Sequence, residues 1–149
     1  MADFTLSITN SELIDEVRDS LAGLDTTKIP DDTIQQTTDR FVVPLLNDNI
    51  PKEVKNKQSE YQDAFDTAVI AWTAELSFNA WMTYTRLRDA EVEAYTDPKN
   101  YKKQLKQRTN LALQLVNTTR PSDIPKTTVT IKHDGVYRTV DLSKNWVYE

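Results

Sequence analysis

The chain has 149 residues, of which 38% are hydrophobic and 28% charged, with a net charge of −5; this suits one domain with a buried core and excludes a disordered chain. It has no cysteine, which excludes disulfides and thiolate metal sites. Its two glycines, Gly23 and Gly135, are separated by 111 residues without another, which leaves no room there for a Walker loop, a GxGxxG dinucleotide turn or a GxSxG nucleophile elbow.

The first predicted element is a helix opened by Thr9 with Glu12 three residues on, the signature of a capping box. Leu13, Ile14, Val17 and Leu21 form its apolar stripe, and Gly23 stops it. A second helix follows the loop Leu24 to Pro30, with Asp32 as the expected cap, Gln35 three positions later, and Ile34, Phe41, Val42, Leu45 and Leu46 as apolar positions. Pro44 removes a backbone donor inside that pattern, so the helix is expected to end or kink near Val43.

From Lys52 to Tyr95 there is neither proline nor glycine, and from Tyr61 the spacing of Phe65, Val69, Trp72, Leu76, Asn79, Thr83, Leu87 and Ala90 is that of one helix face. Its middle is apolar nearly all round, which predicts a helix surrounded by protein. Thr67 to Thr85 carries only Glu75 as a charge, yet its polar residues argue for a core helix over a membrane span, which wants about 20 predominantly apolar residues. Tyr61 to Tyr95 would reach roughly 50 Å as one helix, longer than the remaining helices can sheathe. Phe78 and Trp81, off the main stripe, are therefore assigned to a subunit interface. Glu75 either lies on a wet edge or pairs with a base of a neighbouring subunit.

Thr96-Asp97-Pro98 breaks the run and starts another helix, with Tyr101, Leu105, Leu111, Ala112, Leu115 and Val116 read as one side. Lys99, Lys102, Lys103, Lys106 and Arg108 fill its first half. A solvated face or a salt-bridging interface explains these bases better than nucleic-acid contact, since no aromatics are interleaved. Lys102 and Lys106 are assigned to the subunit interface with Phe78 and Trp81.

Residues 118–126 form a linker with Pro121 and Pro125, after which the period changes to two. Thr127 to Lys132 and Val136 to Leu142 flank His133-Asp134-Gly135, a hairpin signal. A two-residue turn at Asp134-Gly135 sets Ile131 opposite Arg138 and Val129 opposite Val140. The chain closes on Trp146, Val147 and Tyr148. Val129, Ile131, Val140, Trp146, Val147 and Tyr148 are the candidate partner-binding residues, on a docking arm that stands away from the body. The competing reading folds Val129, Ile131 and Val140 back onto the chain's own helices. The expected fold is mainly α, a helical bundle (residues 1–117) around one long central helix, followed by a linker, β-hairpin and extended tail (residues 118–149).

No catalytic constellation is present: the lone histidine, His133, sits beside a turn, and no ExxH or DxDxDG spacing offers metal ligands. No cofactor is implied and no enzyme is expected. The segment from Met1 to Glu16 lacks the basic and apolar regions of a secretory signal, so folding in a cytoplasm is expected. Charge is polarised along the chain: residues 1–66 carry 14 acids against 6 bases, and residues 99–149 carry 4 acids against 10 bases. Such polarity suits head-to-tail contacts between copies, or ordinary solvation.

The capped first helix, the Ile29-Pro30-Asp31-Asp32-x-Ile34 lead-in to the second, the long central helix and the extended tail together resemble the adaptor, or head-completion, proteins of tailed phages and related archaeal tailed viruses. The resemblance spans about residues 9–117 and rests on layout. It implies a structural virion protein in the neck between head and tail, forming a homo-oligomeric ring, commonly of twelve copies. The portal protein and a tail or neck protein would flank it, and genomic DNA would pass through the channel without sequence readout. The alternatives are a non-enzymatic adaptor binding one partner through its C-terminal arm, and a DNA-binding protein using Lys99 to Arg108.

Overall fold

The computed structural model describes residues 3–21, 29–85, 98–118, 128–133 and 136–141. These are mainly helical, arranged around one long helix. Helix α1 (Asn10–Asp19) starts as the sequence predicts: the Glu12 N–H donates to the Thr9 hydroxyl at 3.2 Å, and the Thr9 N–H donates to the Glu12 carboxylate at 3.2 Å. Leu13 and Val17 go into the core, with Leu21 just beyond the helix.

Helix α2 (Asp31–Thr37) differs from the expectation at its cap. Pro30 occupies the cap position with no side-chain cap bond, and Asp31 and Asp32 both lie in the first turn, where the helix dipole favours acids. Asp31 is ion-paired to Arg18, whose guanidinium also donates to the Ile29 carbonyl at 2.9 Å. That staple ties the start of α2 to α1.

Pro44 neither ends the helix nor leaves a gap. The backbone widens into a π turn over Thr38–Val42, in which the Val43 N–H reaches the Thr38 carbonyl, and then resumes as α3 (Val43–Asn49). In α register the Arg40 carbonyl would look to the nitrogen of Pro44, which has no hydrogen, and the π turn absorbs that misfit. Buried here, the Thr38 and Thr73 hydroxyls share a hydrogen bond of 2.9 Å.

A short helix, α4 (Lys52–Lys55), turns the chain into α5 (Gln58–Thr85), 28 residues or about 42 Å long. Every residue from Trp72 to Trp81 is buried. The sequence reading held this helix too long for the chain's own helices to sheathe; within these ten residues one chain does sheathe it. α6 (Pro98–Leu115) runs along it, and α1 and α2 pack against other sides.

The strands β1 (Thr128–His133) and β2 (Val136–Asp141) pair antiparallel, with Val129 opposite Val140 and Ile131 opposite Arg138. Both strands come within 8 Å, Cα to Cα, of α5, and β1 does so with α2. The expectation of an arm standing clear of the body is therefore corrected for the hairpin. An isolated two-stranded hairpin is marginal in water, and packing against helices supplies the missing support.

The N-terminal segment is laced across α3 and α5. Asn47 hydrogen-bonds the backbone of Phe4, Gln62 donates to the Thr5 carbonyl at 2.8 Å, and Asp66 accepts from the Ser7 N–H at 3.3 Å and from the Ser7 hydroxyl.

Candidate functional site, an apolar groove at the α1–α5–α6 seam

Helix α6 shows how a surface site arises here. Leu105, Thr109, Ala112 and Val116 step by fours and threes and are buried against α5. The Thr109 hydroxyl lies between the carbonyls of Leu105, at 3.0 Å, and Ala71 of α5, at 3.2 Å, and so ties the two helices together. Leu111 and Leu115 fall about a quarter turn or more from that face. They are 64% and 56% exposed, the exposed large hydrophobics of the described residues. The sequence reading grouped both with the core side of this helix; the structure turns them outward, because Leu113 and Thr109 take the buried positions instead.

Beside these leucines runs a groove of about 590 Å³. Ile70, Ala71 and Ala74 of α5 form its floor, and Leu111, Ala112 and Leu115 of α6 one bank. Glu16 and Ser20 of α1 form the other bank. The groove exists because α5 presents alanines where larger side chains would fill the space between its neighbours. Its upper frame is fixed by Tyr101, whose hydroxyl donates to the Ser20 carbonyl and whose ring meets Phe78 edge-on at 5.0 Å.

The charges at the groove are opposed. Glu16 on the α1 bank and Arg108 on the α6 bank are both exposed. Neither belongs to an ion pair among the described residues. Glu12, Asp15 and Asp19 add further exposed acids to α1, whereas the exposed neighbours of Arg108 on α6, Gln104, Gln107 and Leu111, are uncharged.

The residues singled out from sequence fall elsewhere. Phe78 and Trp81, assigned to a subunit interface, are 0% exposed within a single chain, their rings 5.9 Å apart. That assignment is corrected: the helix apolar on several sides has its own chain on those sides. Glu75 is also fully buried and engaged with a partner, so the wet-edge reading of that residue falls. Lys102 and Lys106 are half-buried, and each is engaged in an interaction. They lie on the edge of α6 away from the groove. Val129, Ile131 and Val140 belong to the hairpin that packs on α2 and α5. Trp146, Val147 and Tyr148 lie outside the described residues.

Among the described residues no group of three or more histidines, cysteines or carboxylates is placed to hold a metal, and no helix is long and apolar enough to cross a membrane. The chain matches no protein-family model, and neither a curated protein nor a solved structure is significantly similar to it. The groove was missed in the sequence because its signal, Leu111 and Leu115 four apart, overlaps the core stripe in chain order and separates from it only by helix angle.

Proposed function

We propose that this protein is a structural adaptor that works by protein–protein contact, and that its place is the neck of a tailed virion, between portal and tail. The observation that carries the adaptor reading is the α1–α5–α6 groove with Leu111 and Leu115 beside it, the exposed large apolar side chains among the described residues. Exposed apolar patches of this kind mark interaction sites. The virion reading adds the layout: a capped first helix, a second helix led in by Ile29-Pro30-Asp31-Asp32, and a long central helix with others packed on it. In that setting the chain forms a ring, commonly of twelve, around the DNA channel, with the portal on one side and a tail or neck protein on the other. DNA passes without base readout.

The single-partner adaptor remains the second reading. The hairpin bears on it: β1 and β2 form a two-stranded sheet, and an edge strand accepts an extended peptide through backbone hydrogen bonds. The two readings part on co-expression with the portal protein encoded in the same genome. Electron microscopy of the purified complex is expected to show a ring of this chain beneath the portal. A one-to-one complex with some other protein, and no ring, favours the second reading. Tight, sequence-selective binding to duplex DNA overturns both.

A further inference from the structure

We infer that in the free protein the α1–α5–α6 groove is covered by a second copy of this chain, related by a twofold axis that runs along the groove. Glu16 stands on one bank and Arg108 on the other, both exposed and both outside any ion pair among the described residues. A groove with an acid, Glu16, on one bank and a base, Arg108, on the other is complementary to itself when turned over about its long axis. Each acidic bank then faces the partner's basic bank, and the pairing is made twice. A symmetric dimer demands this property of its surface. A uniformly acidic or uniformly basic partner would be repelled by one bank wherever it was attracted by the other.

The apolar part of the patch obeys the same operation. Leu111 and Leu115 line the α6 bank, beside a floor of Ile70, Ala71 and Ala74. Turned over, the α6 bank of each copy, with Leu111 and Leu115, comes over the partner's α1 bank and the floor beside it, so four exposed leucine side chains leave water together. Apolar core and charged rim are then arranged as in stable protein interfaces. This contact belongs to the chain alone and goes beyond the adaptor reading, since it stands or falls whether or not a portal is the final partner.

The test uses the full chain without other proteins. Sedimentation velocity up to about 100 μM is expected to show a particle of two 17.1 kDa copies. Glu16→Arg and Arg108→Glu are each expected to weaken the dimer about tenfold or more, and the double reversal to restore it to within about threefold of the parent. Leu111→Gln with Leu115→Gln is expected to abolish the dimer while circular dichroism keeps the parent helicity, because both side chains already face water. A parent chain that stays monomeric, or a larger assembly indifferent to these residues, overturns the inference. So does a double reversal as weak as the single ones. A monomer that takes up a fluorescent apolar probe, lost in the leucine variant, assigns the groove to a small ligand and overturns it as well.

Discussion

The carboxamide of Asn47 pairs with both backbone polar groups of Phe4: the Phe4 N–H donates to Oδ1 at 2.8 Å, and Nδ2 donates to the Phe4 carbonyl at 3.1 Å. One side chain thus stands in for a strand, satisfying a residue that has no ladder of its own. It also holds the Phe4 ring flat against Phe65, with centroids 4.8 Å apart. Replacing Asn47 by leucine, close to it in size, strands both backbone groups in a buried place. The expected loss is about 2–5 kcal/mol in urea denaturation, from about 1–3 kcal/mol per unsatisfied group. A loss below about 1 kcal/mol means that the N-terminal segment is held by other bonds.

The Thr38–Thr73 pair gives a sharper test, because both hydroxyls are buried and each is the other's partner at 2.9 Å. Thr38→Val and Thr73→Val each leave one hydroxyl without that bond, and each is expected to cost about 1–3 kcal/mol. The double variant removes both hydroxyls and is expected to cost less than the sum of the two. Additive losses in the double-mutant cycle would show that the pair contributes nothing as a pair.

Phe78 and Trp81 are enclosed in one chain, so truncating either damages the monomer itself. Phe78→Ala is expected to lower stability by about 3–5 kcal/mol, read from denaturant midpoints of a protein diluted below its association range. If such a variant kept full stability and lost only its oligomeric state, the burial described for α5 would be wrong.

Asn117 closes α6 in the left-handed region, at φ 56. The Thr118 N–H bonds to the Leu113 carbonyl at 3.1 Å, and the Asn117 N–H to that of Gln114 at 3.0 Å, the two bonds of a Schellman cap. Glycine usually takes this position, and asparagine is its common substitute. Asn117→Gly is expected to be neutral or to stabilise by a few tenths of a kcal/mol, and Asn117→Val to destabilise by about 1–2 kcal/mol. Thermal melts of the two variants should therefore move apart. Melts that coincide would show that the cap is not held in this geometry.

What the sequence made legible was local. The Thr9–Glu12 box needs only residues three apart, and the structure has it. The helical spacing around Phe65, Val69, Trp72 and Leu76 likewise predicts the central helix. Its enclosure was half legible: an apolar circumference says that protein surrounds α5, but not whose. Phe78 and Trp81 were sent to another subunit because nothing nearby in sequence announces that α6 runs along this helix and sets Tyr101 against Phe78. The cap at Asp32 failed for a related reason: the helix already begins at Asp31, whose carboxylate is ion-paired to Arg18, 13 residues earlier, so Asp32 falls inside the first turn. At Pro44 the rule about the missing donor held, and its consequence was a wider turn instead of a break. The groove needs three helices from distant parts of the chain, and no window of sequence contains them.

The enclosure of Trp72–Trp81 makes this stretch a natural gauge of the whole molecule. A helical amide exchanges its hydrogen with solvent only when its bond opens, and here no local fraying brings water to the backbone. In deuterated buffer these amides should be the last to exchange, at a rate set by unfolding of the entire chain. Toward Gln58, where Ser59, Glu60 and Asp63 face water, exchange should proceed by fraying and be largely indifferent to substitutions in the core. One helix would then carry two clocks, one local at its exposed start and one global at its enclosed middle.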